Sequence, residues 1–246
     1  MSRMVVNGLE PVSNREVLAL CARHSDVLRP ALGIYPLDAS ANAIDEAEFR
    51  AQFEGFTLPA TFDVAAELDF IDQQAAAGTI VAVGEAGLDG MYGYSDYLLG
   101  AQEEVLRELC RIAKRHDLPI ILHSRAAEAR VFEVLQDEGV EKADFHCFMG
   151  RKKLAVQIAE AGYYLSIPAF VGRNQQVQQF CKALPMERLL TETDAPYLAP
   201  DKDVFPNEPR YVPRAVGVIA ELRQMPVAEA REQIAANYAT LFGSAA

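Results

Sequence analysis

Seven short runs rich in apolar and β-branched residues punctuate the chain, at residues 3–7, 30–34, 80–84, 119–123, 143–146, 163–167 and 189–193. Helical periodicity fills much of the sequence between them. Residues 97–116 place Leu98, Leu99, Val105, Leu106, Leu109, Ile112 and Ala113 on one helical face, with Ser95 and Asp96 where an N-cap belongs. Segments 126–138, 151–161 and 174–184 behave similarly, and residues 210–242 read as two helices around Met225-Pro226. Residues 36–60 are the least regular and read as a loop with a short helix. Strands separated by helices cannot pair as hairpins, so the alternation demands a parallel sheet covered by helices. The fold class that follows is α/β, a TIM-type (β/α) barrel. A closed barrel needs eight strand–helix units. Seven are recognisable, and the first begins almost at Met1. The expectation is therefore a single domain over 1–246 that lacks its first β/α unit, an N-terminally shortened form. Its unpaired outer strands would be an exposed edge open to self-association.

The formal net charge is −12. That excludes tight nonspecific binding to a nucleic-acid backbone across the surface, which needs Lys and Arg to neutralise phosphates. It leaves room for a phosphate-handling site whose positive charge comes from bound metal. No apolar run approaches the roughly 20 residues of a membrane span, and the N-terminus lacks a secretory signal pattern. The four cysteines are scattered without a CxxC pair, as in a cytoplasmic protein with reduced thiols. No membrane partner is expected.

In parallel α/β sheets, sites form at the carboxyl ends of strands. Four runs carry an ionisable residue there: Glu85 after IVAVG, His123 ending PIILH, His146 ending ADFH, and Asp194 after LLTET. Each has a plain structural reading, such as a hydrogen-bonded core histidine or a turn-starting aspartate. Two imidazoles and two carboxylates at the same end of four strands also make a divalent-metal set. Imidazole with carboxylate suits Zn, Mn, Fe, Co or Ni, and carboxylate with water suits Mg. Asp194 is then placed to take a proton from a metal-activated water. His24 and His116 fall in helical segments and read as surface or helix-end residues. Tyr92, Tyr94, Phe170 and Tyr197 lie near strand ends, where packing against the rim is the first reading and base stacking the second.

GEAGLD (84–89), ILHSR (121–125), FHCFMG (145–150), LLTETDAPYLAP (189–200), NEP (207–209) and ANYATLFG (236–243) together resemble the TatD family of metal-dependent hydrolases and deoxyribonucleases, within the amidohydrolase-like TIM barrels. The resemblance covers nearly the whole chain. It implies that Glu85 bridges two metal ions, that His123 and His146 hold one of them, and that Asp194 ligates the other and orients the hydrolytic water. It puts Arg125 at a substrate phosphate, with Tyr35, Asn207 and Glu208 also on the substrate side. The implied activity is phosphodiester cleavage in DNA, in several members as a 3′-to-5′ exonuclease, with one or two Mg, Mn or Zn ions. Two features depart from the family pattern. The opening strand ending in His-x-His is absent, since MSRMVVNG resembles the second strand. In GIYP (33–36), Tyr35 stands where the family has histidine, and a phenol is not a cation near neutral pH. Two other readings use the same residues: a metal-dependent hydrolase of a small phosphoester or amide, and an inactive barrel serving as a scaffold. Many relatives that hydrolyse small molecules bridge their metals with a carboxylated lysine on the fourth strand, where this sequence has Glu85 and no nearby Lys.

Overall fold

The computed structural model describes residues 3–93 and 95–243, so Tyr94 lies outside the described residues. It divides into two compact units, Arg3–Val140 and residues 141–243.

The first unit runs β1 (Met4–Asn7), α1 (Pro11–Arg23), β2 (Leu28–Leu32), α2 (Pro36–Ala39), α3 (Glu46–Gln52), α4 (Val64–Ala76), β3 (Ala82–Asp89), α5 (Asp96–Arg115), β4 (Ile120–Arg125) and α6 (Glu128–Glu138). Its four strands pair in parallel in chain order. Local chemistry starts the helices where they start. At α1, Glu10 accepts from the Ser13 backbone N–H at 2.7 Å, and the Ser13 hydroxyl oxygen accepts from the Glu10 backbone N–H at 3.1 Å, closing a capping box ahead of Pro11. At α5, Ser95 caps Leu98, and Lys114 and Arg115 occupy the last turn, where cations suit the helix dipole. The apolar face of α5 buries Leu98, Leu106, Leu109, Ile112 and Ala113 and packs on β3.

Several boundaries differ from the sequence expectation, and the fourth strand runs past His123 to Arg125. Residues 36–60 form two short helices, α2 and α3. The second strand sits two residues earlier than expected. The third does not stop at Gly84 but continues to Asp89, and every residue in it is buried. Glycine reads as punctuation in a sequence, yet here it permits a close strand approach. Gly87 lies opposite His123 in the β3–β4 register at φ +147°, and a Cβ there would sit 1.9 Å from the His123 carbonyl oxygen. A register shift between Val83 and Ala86 adds one residue to β3 against β4, and Glu85 falls within that bulge. A bulge re-aims the side chain it carries.

The second unit runs β5 (Ala143–Phe145), α7 (Lys152–Glu160), β6 (Tyr164–Pro168), α8 (Gln175–Ala183), β7 (Leu189–Glu192), α9 (Val212–Arg223) and α10 (Val227–Phe242), with β5, β6 and β7 parallel neighbours in that order. The ANYATLFG segment is a structural anchor for β7. Buried Asn237 donates to the Met186 and Leu189 carbonyls at 2.8 and 2.7 Å, and Leu241 packs on Tyr164 and Leu190. Pro226 separates α9 from α10 as expected. Cys21, Cys110 and Cys181 are buried thiols, and burial pushes Cys110 and Cys181 up to about 12. Among the described residues, no helix is long and apolar enough to cross a membrane.

Gly87→Ala forces β3 off β4 and is expected to cost about 3 kcal/mol or more by urea denaturation. Gly100→Ala, inside α5 with open space around it, is expected to gain about 0.5–1 kcal/mol in the same measurement. Asp38 in α2 provides a pH test. Burial, then the charge of Glu10, pushes its carboxyl from 3.8 to about 7. The folded protein holds that proton up to about pH 7, whereas the unfolded chain releases it near pH 4, so stability falls as pH rises through this window. Asp38→Asn is expected to raise the melting temperature at pH 8 and to change it little near pH 4.

Candidate functional site

In the first unit the site is built on the carboxyl halves of β3 and β4. The register sets Gly87 beside His123 and Asp89 beside Arg125. His123 and Arg125, two residues apart on β4, therefore share a face that Asp89 can reach. Asp89 is fully buried. Its Oδ1 accepts from the backbone N–H groups of Met91 and Tyr92 at 2.9 and 3.3 Å. Its Oδ2 meets His123 Nε2 at 2.8 Å and accepts from Arg125 Nε at 2.7 Å, with the Tyr35 hydroxyl at 3.5 Å. Burial pushes the Asp89 carboxyl up, but His123 and Arg125 outweigh it and hold the group below the usual carboxylate range. Glu85, re-aimed by the bulge, brings Oε1 to 3.1 Å from His123 Nδ1.

Tyr35 stands edge-on to the His123 ring, with centroids 4.9 Å apart. Burial, then the charges of Asp89 and Glu85, drives its phenol far above the ordinary value, so it stays protonated. The Arg125 guanidinium lies over the Tyr92 ring at 4.9 Å, and Tyr92 also packs against Phe53. Tyr92 is thus a buried packing residue, and so is Phe170, which Arg173 overlies at 5.3 Å.

In the second unit His146 directly follows β5, and its Nδ1 lies 3.7 Å from Oε2 of Glu192, the last residue of β7. Burial, opposed by His146 and helped by the charges of Asp194 and Asp144, pushes Glu192 up to about 7. Asp144, beneath them, is raised to about 6 by burial and accepts a hydrogen bond from the Ser166 hydroxyl. Asp194 sits two residues past the strand at φ +57°, the left-handed region, and its carbonyl accepts from the Tyr197 N–H at 2.9 Å. The loop after it is pinned from within. Buried Asn207 donates its amide to the Thr193 and Tyr197 carbonyls at 2.5 and 2.6 Å, and its oxygen accepts from the Glu208 N–H at 2.9 Å. The Glu208 carboxylate pairs with Arg210 at 2.7 Å on the surface. Tyr197 is 65% exposed beside Phe205. His24 caps the end of α1 and is exposed, and His116 ends α5 bonded to Asp72 at 2.8 Å.

Two carboxylates escaped the sequence reading, Asp89 and Glu192. Both lie inside quoted motifs, and the strand ends hid them. A β3 ending at Gly84 leaves Asp89 in a loop, and Glu192 falls inside the apolar-leading run before Asp194.

The donor set suits a divalent cation. A neutral imidazole carries one N–H and one lone pair. His123 faces a carboxylate oxygen at each nitrogen, so a neutral ring sets its lone pair against one of them. A cation at that face relieves the contact, and imidazole with carboxylate is a borderline-metal set.

The chain matches the family model "TatD related DNase" over residues 1–243. It is 31% identical to the metal-dependent hydrolase YabD of Bacillus subtilis, over 98% of this chain and 88% of that protein. It is 30% identical to the 3'-5' ssDNA/RNA exonuclease TatD of Erwinia tasmaniensis, again over 98% and 88%. Among solved structures, a TatD homologue from Escherichia coli superposes with a TM-score of 0.81 at 27% identity, covering 100% of this chain and 88% of the other. The fold class is α/β of the TIM-barrel type. The chain belongs to the TatD family and is a hydrolase of the metal-dependent, deoxyribonuclease-like kind.

Asn207→Ala removes two donors and one acceptor from the loop after β7. It is expected to cost about 1–3 kcal/mol and to speed limited proteolysis between residues 194 and 208, read by mass spectrometry.

Proposed function

We propose that this protein hydrolyses phosphodiester bonds in DNA, trimming single strands from the 3′ end with a divalent ion. The observation that carries this reading is the Glu85–His123 contact, braced from behind by Asp89, in a chain of a family that includes a 3'-5' exonuclease by name. In this proposal Glu85 and His123 are the cation-holding residues of the first unit, and His146 and Asp194 are those of the second. The cation, when bound, supplies an acidified water and a counter-charge for the phosphoryl group.

The chain's own residues do the rest. The Asp194 carboxylate accepts the proton that the attacking water gives up. The Arg125 guanidinium, held on Asp89 through Nε and Nη2, has Nη1 to offer a non-bridging phosphate oxygen. Tyr35 holds its proton and can only donate, so it aids orientation without adding positive charge. Asn207, with its amide engaged by the loop backbone, shapes the rim, and Glu208 with Arg210 lies at its edge. A net charge of −12 keeps DNA off the rest of the surface.

The test is cleavage of 3′-labelled single-stranded DNA with Mg²⁺ or Mn²⁺. Shortening from the 3′ end, abolished by EDTA and by Glu85→Ala, is the expected result. Asp194→Asn is expected to lower kcat by about 10²–10⁴-fold with an unchanged melting temperature. Wild-type turnover by folded Asp194→Asn would remove Asp194 as the base. A folded, metal-loaded enzyme that leaves DNA intact but hydrolyses a small phosphoester would move the substrate class.

A further inference from the structure

His123 faces two carboxylates, and which of its nitrogens carries the proton decides which face can meet a cation. The surroundings of Asp89 answer this. Its Oδ1 is held by two backbone N–H groups, and its Oδ2 by the Arg125 Nε–H at 2.7 Å, with the Tyr35 hydroxyl alongside. A carboxylate surrounded by donors on both oxygens acts only as an acceptor. The His123 nitrogen 2.8 Å from Oδ2 must then be the donor. Resting on the functional reading above, we propose that Asp89 is the positioning residue of the site. It fixes His123 as the Nε2–H tautomer, so that the Nδ1 lone pair points toward Glu85 and the cation, and with the same oxygen it aims Arg125 at the substrate phosphate. One buried atom thus sets both the metal-holding imidazole and the phosphate-holding guanidinium.

An asparagine at 89 tests this because it is nearly the same shape with the opposite hydrogen bonding. Its oxygen has to remain on the Met91 and Tyr92 N–H groups, or the turn after β3 loses both. Its amide NH₂ then falls where Oδ2 was, facing His123 Nε2 and Arg125. A donor there requires a lone pair on Nε2. The ring proton leaves Nε2 and appears on Nδ1, where it donates to Glu85, with the ring neutral before and after. The altered tautomer satisfies both nitrogens of the His123 ring, but the face that meets a cation is closed. Arg125 loses its acceptor in the same change.

The measurement is ¹⁵N-histidine NMR on the metal-free full chain, at a pH where the ring is neutral, together with Mn²⁺ titration by calorimetry. The wild type is expected to show Nε2–H at His123, and Asp89→Asn is expected to show Nδ1–H. Mn²⁺ binding to Asp89→Asn should weaken by about 10–100-fold, the usual effect of losing a partner behind a ligating histidine, with a near-normal melting temperature and a raised KM for DNA. Nδ1–H or a persistent imidazolium in the wild type overturns the proposal, and so does wild-type Mn²⁺ affinity in Asp89→Asn. If Asp89→Asn does not fold, the wild-type tautomer still decides. If the wild type shows Nε2–H and binds Mn²⁺ yet leaves DNA intact, the substrate reading fails and the role of Asp89 stands.

Discussion

The close approach of β3 and β4 governs what the first unit can do. Gly87 has no side chain, so the backbone of β3 comes against the carbonyl of His123, where any Cβ would collide. That contact sets the register in which Asp89 lies beside Arg125 and within reach of His123. The same pair of strands carries the bulge that turns Glu85 toward the other side of the imidazole. A carboxylate with no exposure is costly to keep charged. Asp89 stays charged because an imidazole, a guanidinium and two backbone N–H groups surround it, so its ionisation and its neighbours' positions are one arrangement.

The second unit meets the problem of buried charge differently. Glu192 and Asp144 lie within each other's field beside a single histidine, and burial dominates both. Their carboxyls are pushed toward neutrality, where Asp89 is held away from it. Burial thus wins at Glu192 and Asp144, whereas His123 and then Arg125 outweigh it at Asp89. The loop after β7 is ordered by Asn207, whose amide ties residues on both sides of Pro196. The same loop begins at Asp194, so its stiffness bears directly on where that carboxylate sits.

Motifs that look alike on paper have different physical duties. The asparagine of ANYATLFG binds β7 to the last helix and touches no chemistry. The asparagine of NEP braces a loop. In GEAGLD, the second glycine sets strand spacing, and the two acidic residues lie at opposite nitrogens of one histidine. Tyr35 is a protonated phenol edge-on to that ring. Under the proposed function, the cationic duty toward a phosphate falls to Arg125 and a bound metal.

Much of the architecture was legible from periodicity alone. The spacing of apolar residues marked α5 and its cap, the two closing helices around Pro226, and seven strands, because a covered parallel sheet leaves a regular imprint on hydrophobicity. Glu85, His123, His146 and Asp194 were legible as polar residues at the ends of apolar runs. What the sequence hid were the features that depend on distance across the sheet. Glycines within β3 read as a strand end because propensity knows nothing of the neighbouring backbone they accommodate. Asp89 and Glu192 passed unnoticed because a carboxylate gains meaning from the imidazole it faces, 34 and 46 positions away along the chain. Residue types and their order determined the family and the metal-suited chemistry. Only the register of β3 on β4 decided which nitrogen of His123 faces which acid, since a hydrogen bond is a matter of ångströms that no one-dimensional pattern records.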